Sequence, residues 1–410
     1  MPEFLTIIYL LYSFIALYLI FLFILIYTKN KNELFSYPKL TKNYSLSIII
    51  PCYNEGKTIG GVIESLLNSD YKELKKIIVV DDCSTDDSYK IIKEYEKKYD
   101  IVKAVRTPKN TGKASGSKNY GTKFVNTELM GFVDADSYPQ KDAITKMVGF
   151  FNDEELAAVT PSIFVKRKEK FIERIQSIEY RIISFTRKLL GFVGAIYVTP
   201  GPLAIYRKKF FDKIGGFDEN NLTEDIEITW NLLSQGYKIE MCTLSKTHTI
   251  VPDNVKEWYR QRVRWNIGGI QTIFKHKGAF AKKGIFGSFV LPFFVSSWIV
   301  GLFGIVILVY RELRRFFINY LATTYSIGAQ TAILTLRDIN LTPNILVFFG
   351  IAILSLSLFF TILALSYTKE NEIKKFKISD FLVYVFIYLL IYPIILITAA
   401  FKFIKKEKFW

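Results

Sequence analysis

The sequence predicts an α/β domain with a mostly parallel sheet, flanked at both ends by apolar helices that cross a membrane. Three observations carry that prediction. From Ser45 onward, β-branched runs alternate with helical periodicities; acidic residues gather where those runs end; and long uncharged stretches stand before and after the region. At 410 residues, half of them hydrophobic, the chain is too long for one ordinary domain and too apolar to be wholly soluble.

Residues 4–27 hold no charge and are followed by Lys29, Lys31 and Lys39 with no small-residue cleavage site between. Residues 1–28 therefore read as a retained signal anchor with its N-terminus outside, which puts a domain beginning after about Thr28 in the cytoplasm. Residues 45–51 form a β-branched run closed by Pro51, and 52–58 supply a loop and a helix start. Ile59, Val62, Ile63, Leu66 and Leu67 keep a 3.6-residue period, and residues 76–80 form the next strand. That strand runs into Asp81-Asp82-Cys83-Ser84-Thr85-Asp86, with a second helix expected over 87–99. In such sheets ligands gather beyond the carboxyl ends of the strands, where Tyr53, Glu55, Asp81, Asp82 and Asp134 fall.

Residues 110–121 hold three glycines and two lysines, Lys113 and Lys118, and read equally as a phosphate cradle or a plain surface loop. Residues 130–133 read as a buried strand ending in Asp134-Ala135-Asp136, whose alternation puts both carboxylates on one side. That pair suits a hard divalent cation that keeps most of its water and carries a phosphate oxygen; the plainer reading is a solvated strand cap. Residues 170–190 have the pattern of an amphipathic helix with Arg174, Arg181, Arg187 and Lys188 as a basic fringe, packed on the sheet or lying at the bilayer surface. Thr223 is placed to cap a helix whose first turn holds Glu224 and Asp225, which as dipole complements need no further role. A helix is expected over 256–276, carrying Gln261-Arg262-Val263-Arg264-Trp265, which fits either a pyrophosphate and a sugar ring or an anchor at the bilayer surface.

Beyond Gly284, uncharged runs cover 285–310, 316–336, 345–367 and 381–401. Three are clear spans. The run 316–336 holds Asn319, Thr323, Thr324, Ser326, Gln330 and Thr331, so interfacial, re-entrant and pore-lining placements all stay open, as does the side of the C-terminus. The expected organisation is an anchor (1–28), a cytoplasmic α/β domain (44–254), an interfacial segment (255–284) and a membrane region of three to four spans (285–403).

Cys52, Cys83 and Cys242, with His248 and His276, are too few and scattered for a disulfide framework or a His/Cys metal site. The net charge of +16 fits positive-inside loops, anionic lipid and a phosphate-bearing substrate. No helix-turn-helix, RNP or zinc-finger pattern supports nucleic acid as a partner.

In this order the motifs, from about Ser45 to Trp265, resemble the family 2 glycosyltransferases with a GT-A fold, and among them the membrane group of hyaluronan, chitin, cellulose and poly-N-acetylglucosamine synthases. The resemblance implies that Tyr53, Glu55 and Asp82 hold the nucleoside of a nucleotide sugar, with UDP expected, and that Lys113, Asp134 and Arg264 meet its diphosphate. It implies Mg²⁺ or Mn²⁺ on Asp134 and Asp136, Asp225 as general base, and Gly201, Glu224, Gln261 and Trp265 at the acceptor. Two departures stand out. Residues 110–121 match the broad N-x-G…N-x-G form rather than the tighter one, and Cys83 replaces the commoner glycine. The implied reaction is inverting, metal-dependent transfer that extends and translocates a polysaccharide at the cell membrane. The rivals are single transfer to a glycolipid or polyprenyl phosphate acceptor and a non-catalytic scaffold. Few spans for an enclosed channel leave a homo-oligomer open.

Overall fold

The computed structural model describes residues 2–328, 345–367 and 377–405. Helix α1 (Pro2–Asn30) leads to alternating strands and helices: β1 (Leu46–Cys52), α2 (Ile59–Leu67), β2 (Leu74–Asp81), α3 (Ser88–Lys98), β3 (Val102–Arg106), α4 (Ala114–Thr122) and β4 (Leu129–Phe132). There follow β5 (Ser137–Pro139), α5 (Ala143–Val148), β6 (Leu156–Val165), α6 (Phe171–Gly191), β7 (Ala204–Arg207), α7 (Lys208–Lys213), α8 (Glu224–Ser234), β8 (Lys238–Thr249) and α9 (Val255–His276). The helices α10 (Leu291–Gly328), α11 (Ile345–Tyr367), α12 (Ile378–Val383) and α13 (Leu389–Ile404) complete the described chain.

The eight strands form one sheet in the order β3-β2-β1-β4-β7-β6-β8-β5. The pairs β1–β2, β1–β4, β2–β3 and β6–β8 are parallel, while β4–β7, β6–β7 and β5–β8 are antiparallel. β1 is buried along its whole length because helices cover both faces, which is why it reads as an unbroken apolar run rather than an alternating one. Its carboxyl end, with those of β2 and β4, opens on one edge of the sheet; Tyr53 and Asp82 follow their strands directly, and Asp134 follows β4 after Val133.

Among the described residues, three helical stretches are long and apolar enough to cross a membrane: Ile7–Asn30, Phe286–Gly304 and Phe348–Tyr367. A fourth is a pair, Ile378–Phe386 and Ile391–Ile404, bent by 46° across a π-helical turn. The sequence separated 285–310 from 316–336. In the structure α10 runs unbroken through Arg311-Glu312-Leu313-Arg314-Arg315, because that stretch holds no glycine or proline to interrupt the backbone ladder. Residues 329–336 lie outside the described part.

Of the two placements left open for the amphipathic helix α6, packing on the sheet is the one observed. It packs on β6 and β8 on one side and on α11 and α12 on the other, so Arg181, Arg187 and Lys188 are buried and Arg174 pairs with Asp380 at 2.9 Å. The tie that binds α6 to α9 and α13 is Glu179. Its carboxylate accepts from Arg262 Nε at 3.0 Å and Nη2 at 2.5 Å, and from the Tyr388 and Tyr392 hydroxyls; Trp258 Nε1 donates to Tyr388 at 2.7 Å. A buried ion pair of this kind survives desolvation only because its remaining donors and acceptors are also occupied. Arg262→Met should therefore cost about 3–5 kcal/mol in unfolding of the detergent-solubilised protein, since it strands a buried carboxylate. Adding Glu179→Gln to that variant should recover part of the loss.

Candidate active site

Two left-handed turns shape the edge of the sheet. Asn54 (φ +54°) follows β1 and Cys83 (φ +62°) follows β2. The second explains why glycine is commoner there, since a Cβ is a penalty in that conformation. The two loops are lashed together: Ser84 Oγ accepts from Asn54 N, Asn54 Oδ1 from Thr85 N, Ser88 Oγ from Glu55 N and Asp86 Oδ2 from Gly56 N, all within 2.8–3.0 Å. Tyr53 stands at their rim, 51% exposed. Glu55 accepts from the Thr58 hydroxyl at 2.6 Å. Asp82 is buried and accepts from Thr107 Oγ1 at 2.7 Å and from Thr111 N and Oγ1 at 3.0 and 2.7 Å, so it shapes the loop before α4.

That loop separates the two candidate lysines. Lys113 Nζ donates to the Glu219 carbonyl at 2.8 Å, at the surface. Lys118, on α4, is 3% exposed and lies 2.9 Å from Glu224 and 3.3 Å from Asp134. Burial works against its charge, but Asp134, Glu224 and Asp225 outweigh that and hold its pKa above the usual lysine value. Sequence reasoning missed Lys118 as a site residue. The only signal was its place in the glycine- and lysine-rich run, and nothing local separates it from Lys113.

Asp134 follows β4 and donates its N–H to the Gly201 carbonyl at 3.1 Å. A Cβ at Gly201 would stand 2.2 Å from Asp134 Oδ2, so the absent side chain makes the room that this carboxylate fills. Asp136 accepts from Ser137 Oγ at 2.9 Å and Thr249 Oγ1 at 3.4 Å; burial and the neighbouring Asp134 push its pKa up to about 7. Among the described residues no set of three or more His, Cys, Asp or Glu side chains is arranged to hold a metal alone. The donors present are two hard carboxylates, one 35% exposed and the other raised by its neighbour's charge. This fits a hard cation that takes its remaining ligands from water and phosphate.

Glu224 and Asp225 open α8. Thr223 occupies the N-cap position, but its hydroxyl turns to Asn221 Oδ1 and makes no cap bond. The close approach of α9 accounts for this: a Cβ on Gly268 would lie 2.1 Å from Thr223 Oγ1. Burial opposes ionisation of Glu224, yet Lys118 and Arg264 hold its pKa below the usual carboxylate range. Asp225 goes the other way, to about 6, because burial and the Glu224 charge exceed the help from Lys118 and Arg264. Arg264 Nη1 donates to the Leu222 carbonyl at 3.2 Å beside them. Gln261 accepts from Arg262, whose guanidinium lies 4.0 Å from the Trp265 ring centroid, and Trp265 remains partly exposed. The structure thus brings together Lys118, Asp134, Asp136, Gly201, Glu224, Asp225 and Arg264. It sets Tyr53, Glu55 and Asp82 along the adjoining edge, and it turns Lys113 and Gln261 to other partners.

Residues 47–215 match the family model described as Glycosyl transferase family 2. The chain carries a family 2 glycosyltransferase domain. Over 232 residues it is 32% identical to a poly-beta-1,6-N-acetyl-D-glucosamine synthase of Staphylococcus epidermidis, covering 56% of each chain. Over 250 residues it is 29% identical to the synthase of the same name from Staphylococcus aureus strain COL, covering 60% of each. The chain thus matches little more than half the length of these curated relatives. The mannosyltransferase PcManGT from Pyrobaculum calidifontis, solved with GDP-Man and Mn²⁺, superposes with a TM-score of 0.61 over 97% of this chain and 99% of that one, at 17% identity. The shared fold is GT-A. The glycosyltransferase domain yields a test of its own: Gly201→Ala should displace the Asp134 carboxylate and lower sugar-nucleotide turnover by about 10²-fold, the scale of a misplacement near 1 Å, with the fold retained by circular dichroism.

Proposed function

We propose that the protein is an inverting, metal-dependent glycosyltransferase that moves a sugar from a nucleotide diphosphate to an acceptor hydroxyl presented at the cytoplasmic face of the membrane. The observation that carries this reading is Asp225, a buried carboxyl with a pKa of about 6 set among Lys118, Glu224 and Arg264. A base poised near neutrality takes a hydroxyl proton without being permanently protonated itself. Glu224 is locked to Lys118 and is unsuited to nucleophilic attack, so a single displacement with inversion at C1 follows.

Tyr53, Glu55 and Asp82 line the nucleoside end, Lys118 and Arg264 offset charge on the departing diphosphate, and Trp265 with Gly201 borders the acceptor. Lys113, engaged at Glu219, is a candidate only at the outer phosphate. Gln261 acts through Arg262 on the Trp265 ring rather than at the acceptor itself. Asp134 and Asp136 are the residues to hold Mg²⁺ or Mn²⁺, an ion that neutralises the diphosphate as a leaving group. The lysines after α1 support a cytoplasmic domain in a multi-pass protein of the cell membrane.

The named relatives support extension of a glycan; a UDP-sugar as donor rests on the family resemblance of the motifs. Transfer to a membrane lipid is favoured by α10: residues 316–328 continue a single helix, and Asn319, Thr323 and Thr324 are exposed on it rather than lining an enclosed sugar path. Membrane lipids are partners in either case. Assembly of a channel would call for a homo-oligomer.

Asp225→Asn should cost at least about 10²-fold in turnover while leaving nucleotide affinity within twofold. Because the base acts deprotonated and its pKa is raised to about 6, wild-type kcat/KM should be full well above that pH and fall about tenfold per unit below it. A flat profile between pH 5 and 8 would remove Asp225 from this role. EDTA should abolish turnover and Mn²⁺ or Mg²⁺ restore it. Sizing labelled product over time separates the acceptors: a lengthening ladder marks a polymer, a single species a lipid.

A further inference from the structure

Two of the buried arginines among the described residues are well engaged. Arg262 binds Glu179, Gln261 and Gln176; Arg207 donates to the carbonyls of Leu156, Phe151 and Asp153. Arg187, near the C-terminal end of α6, is 4% exposed, and its Nε and Nη1 find no hydrogen-bond partner among the described residues. A guanidinium taken out of water with its donors unused is costly to the fold, so its presence points to a ligand.

Its position identifies the side of the site it serves. After α6 the chain turns back tightly, with Gly194 at φ +66° and Ala195 N donating to the Leu190 carbonyl at 2.9 Å. The returning loop carries Tyr197 against Phe294 of α10, ring centroids 4.7 Å apart, and then Thr199, which is hooked to α8 through Thr229 and the Asp225 carbonyl. Arg187 is thus enclosed between the end of α6, this loop and the first turn of α8. Burial depresses its proton affinity, and the fields of Tyr197, Asp225 and Tyr180 partly restore it. The donor diphosphate has its own cations, Lys118 and Arg264.

We propose that Arg187 is the cation of an acceptor subsite for a phosphate group, and that the acceptor is a polyol phosphate whose hydroxyl lies a few bonds from that phosphate. The guanidinium fork suits two phosphate oxygens, and a hydroxyl delivered to Asp225 from this subsite stays within hydrogen-bond reach of the base. The inference rests on the reading of Asp225 as general base. In the step, the acceptor oxygen forms a bond to the sugar C1, the C1–O bond to the donor diphosphate breaks, the nucleotide diphosphate leaves and the proton passes to Asp225. The acceptor phosphate is unchanged. Such an acceptor is either a phospholipid headgroup or a soluble polyol phosphate, and the packing of Tyr197 against Phe294, within the apolar stretch Phe286–Gly304, favours the lipid.

The test uses the full chain in nanodiscs with three probes: short-chain phosphatidylglycerol, sn-glycerol 3-phosphate and short-chain diacylglycerol. Wild type should bind at least one phosphate-bearing probe and not the neutral one. Preference for phosphatidylglycerol assigns the lipid source, and equal binding of glycerol phosphate assigns the soluble one. Arg187→Gln should weaken that binding at least tenfold, Arg187→Lys less, with nucleotide diphosphate affinity unchanged and the thermal midpoint equal or higher, since an unpaired charge has been removed. Absence of phosphate-dependent binding by wild type, undiminished binding by Arg187→Gln, an equal loss of nucleotide affinity, or collapse of both variants would each overturn the proposal. Probe binding retained by Asp225→Asn keeps this result separate from the fate of the general-base reading.

Discussion

The architecture depends on one buried charge pair. Glu179 and Arg262 sit where α6, α9 and α13 converge, and two tyrosine hydroxyls complete the carboxylate's shell. Because Arg262 is fixed from behind by Glu179 and lies over Trp265 in front, the same side chain that anchors α9 also sets the tryptophan's ring. Its neighbour two residues on, Arg264, is left to face the carboxylates of α8. Within one five-residue motif the first arginine holds the scaffold and the second faces the site.

Around that scaffold the active site works by unequal treatment of like groups. Four carboxylates and two cations share a small volume. Lys118 is closest to Glu224 and Asp134, so Glu224 stays ionised, while Asp225 and Asp136 are left with burial and a like charge and bind protons more readily. Environments that drive apart the affinities of adjacent carboxyls separate their tasks. Under the proposed function the first would serve as a counter-ion, the second as the base and the third as half of a cation site.

Much of this was legible beforehand, because it rests on local pattern. The β1 and β2 runs, the α2 period and the placement of Asp81, Asp82 and Asp134 at strand ends follow from alternation and turn chemistry, and the order of motifs pointed to the GT-A fold. What stayed hidden depends on contacts far apart in the chain. Lys118 becomes a site residue only because Glu224, 106 positions away, comes to within 2.9 Å. For the basic helix α6, packing on the sheet and a place at the bilayer surface stayed equally open, because nothing local says that α11 and α12 cover its other face. Thr223 lost its capping role to the approach of Gly268, and residues 316–328 looked separate because a charged cluster was taken as a break where the backbone has none.

The continuity of α10 has a bearing on how a helix long and apolar enough to cross a membrane would meet bilayers of different thickness. At 38 residues it is about 57 Å long, against a hydrocarbon layer of about 30 Å. Only one end is pinned: Phe286, Val290 and Leu291 are buried with Trp230 in the core of the catalytic domain, while residues from Phe316 onward stand exposed. A thicker or thinner bilayer would therefore be accommodated at the far end, where more or less of the helix would be immersed. Asp225 and Arg264 belong to the domain that holds the near end, so their level relative to α10 is set there and not at the far end.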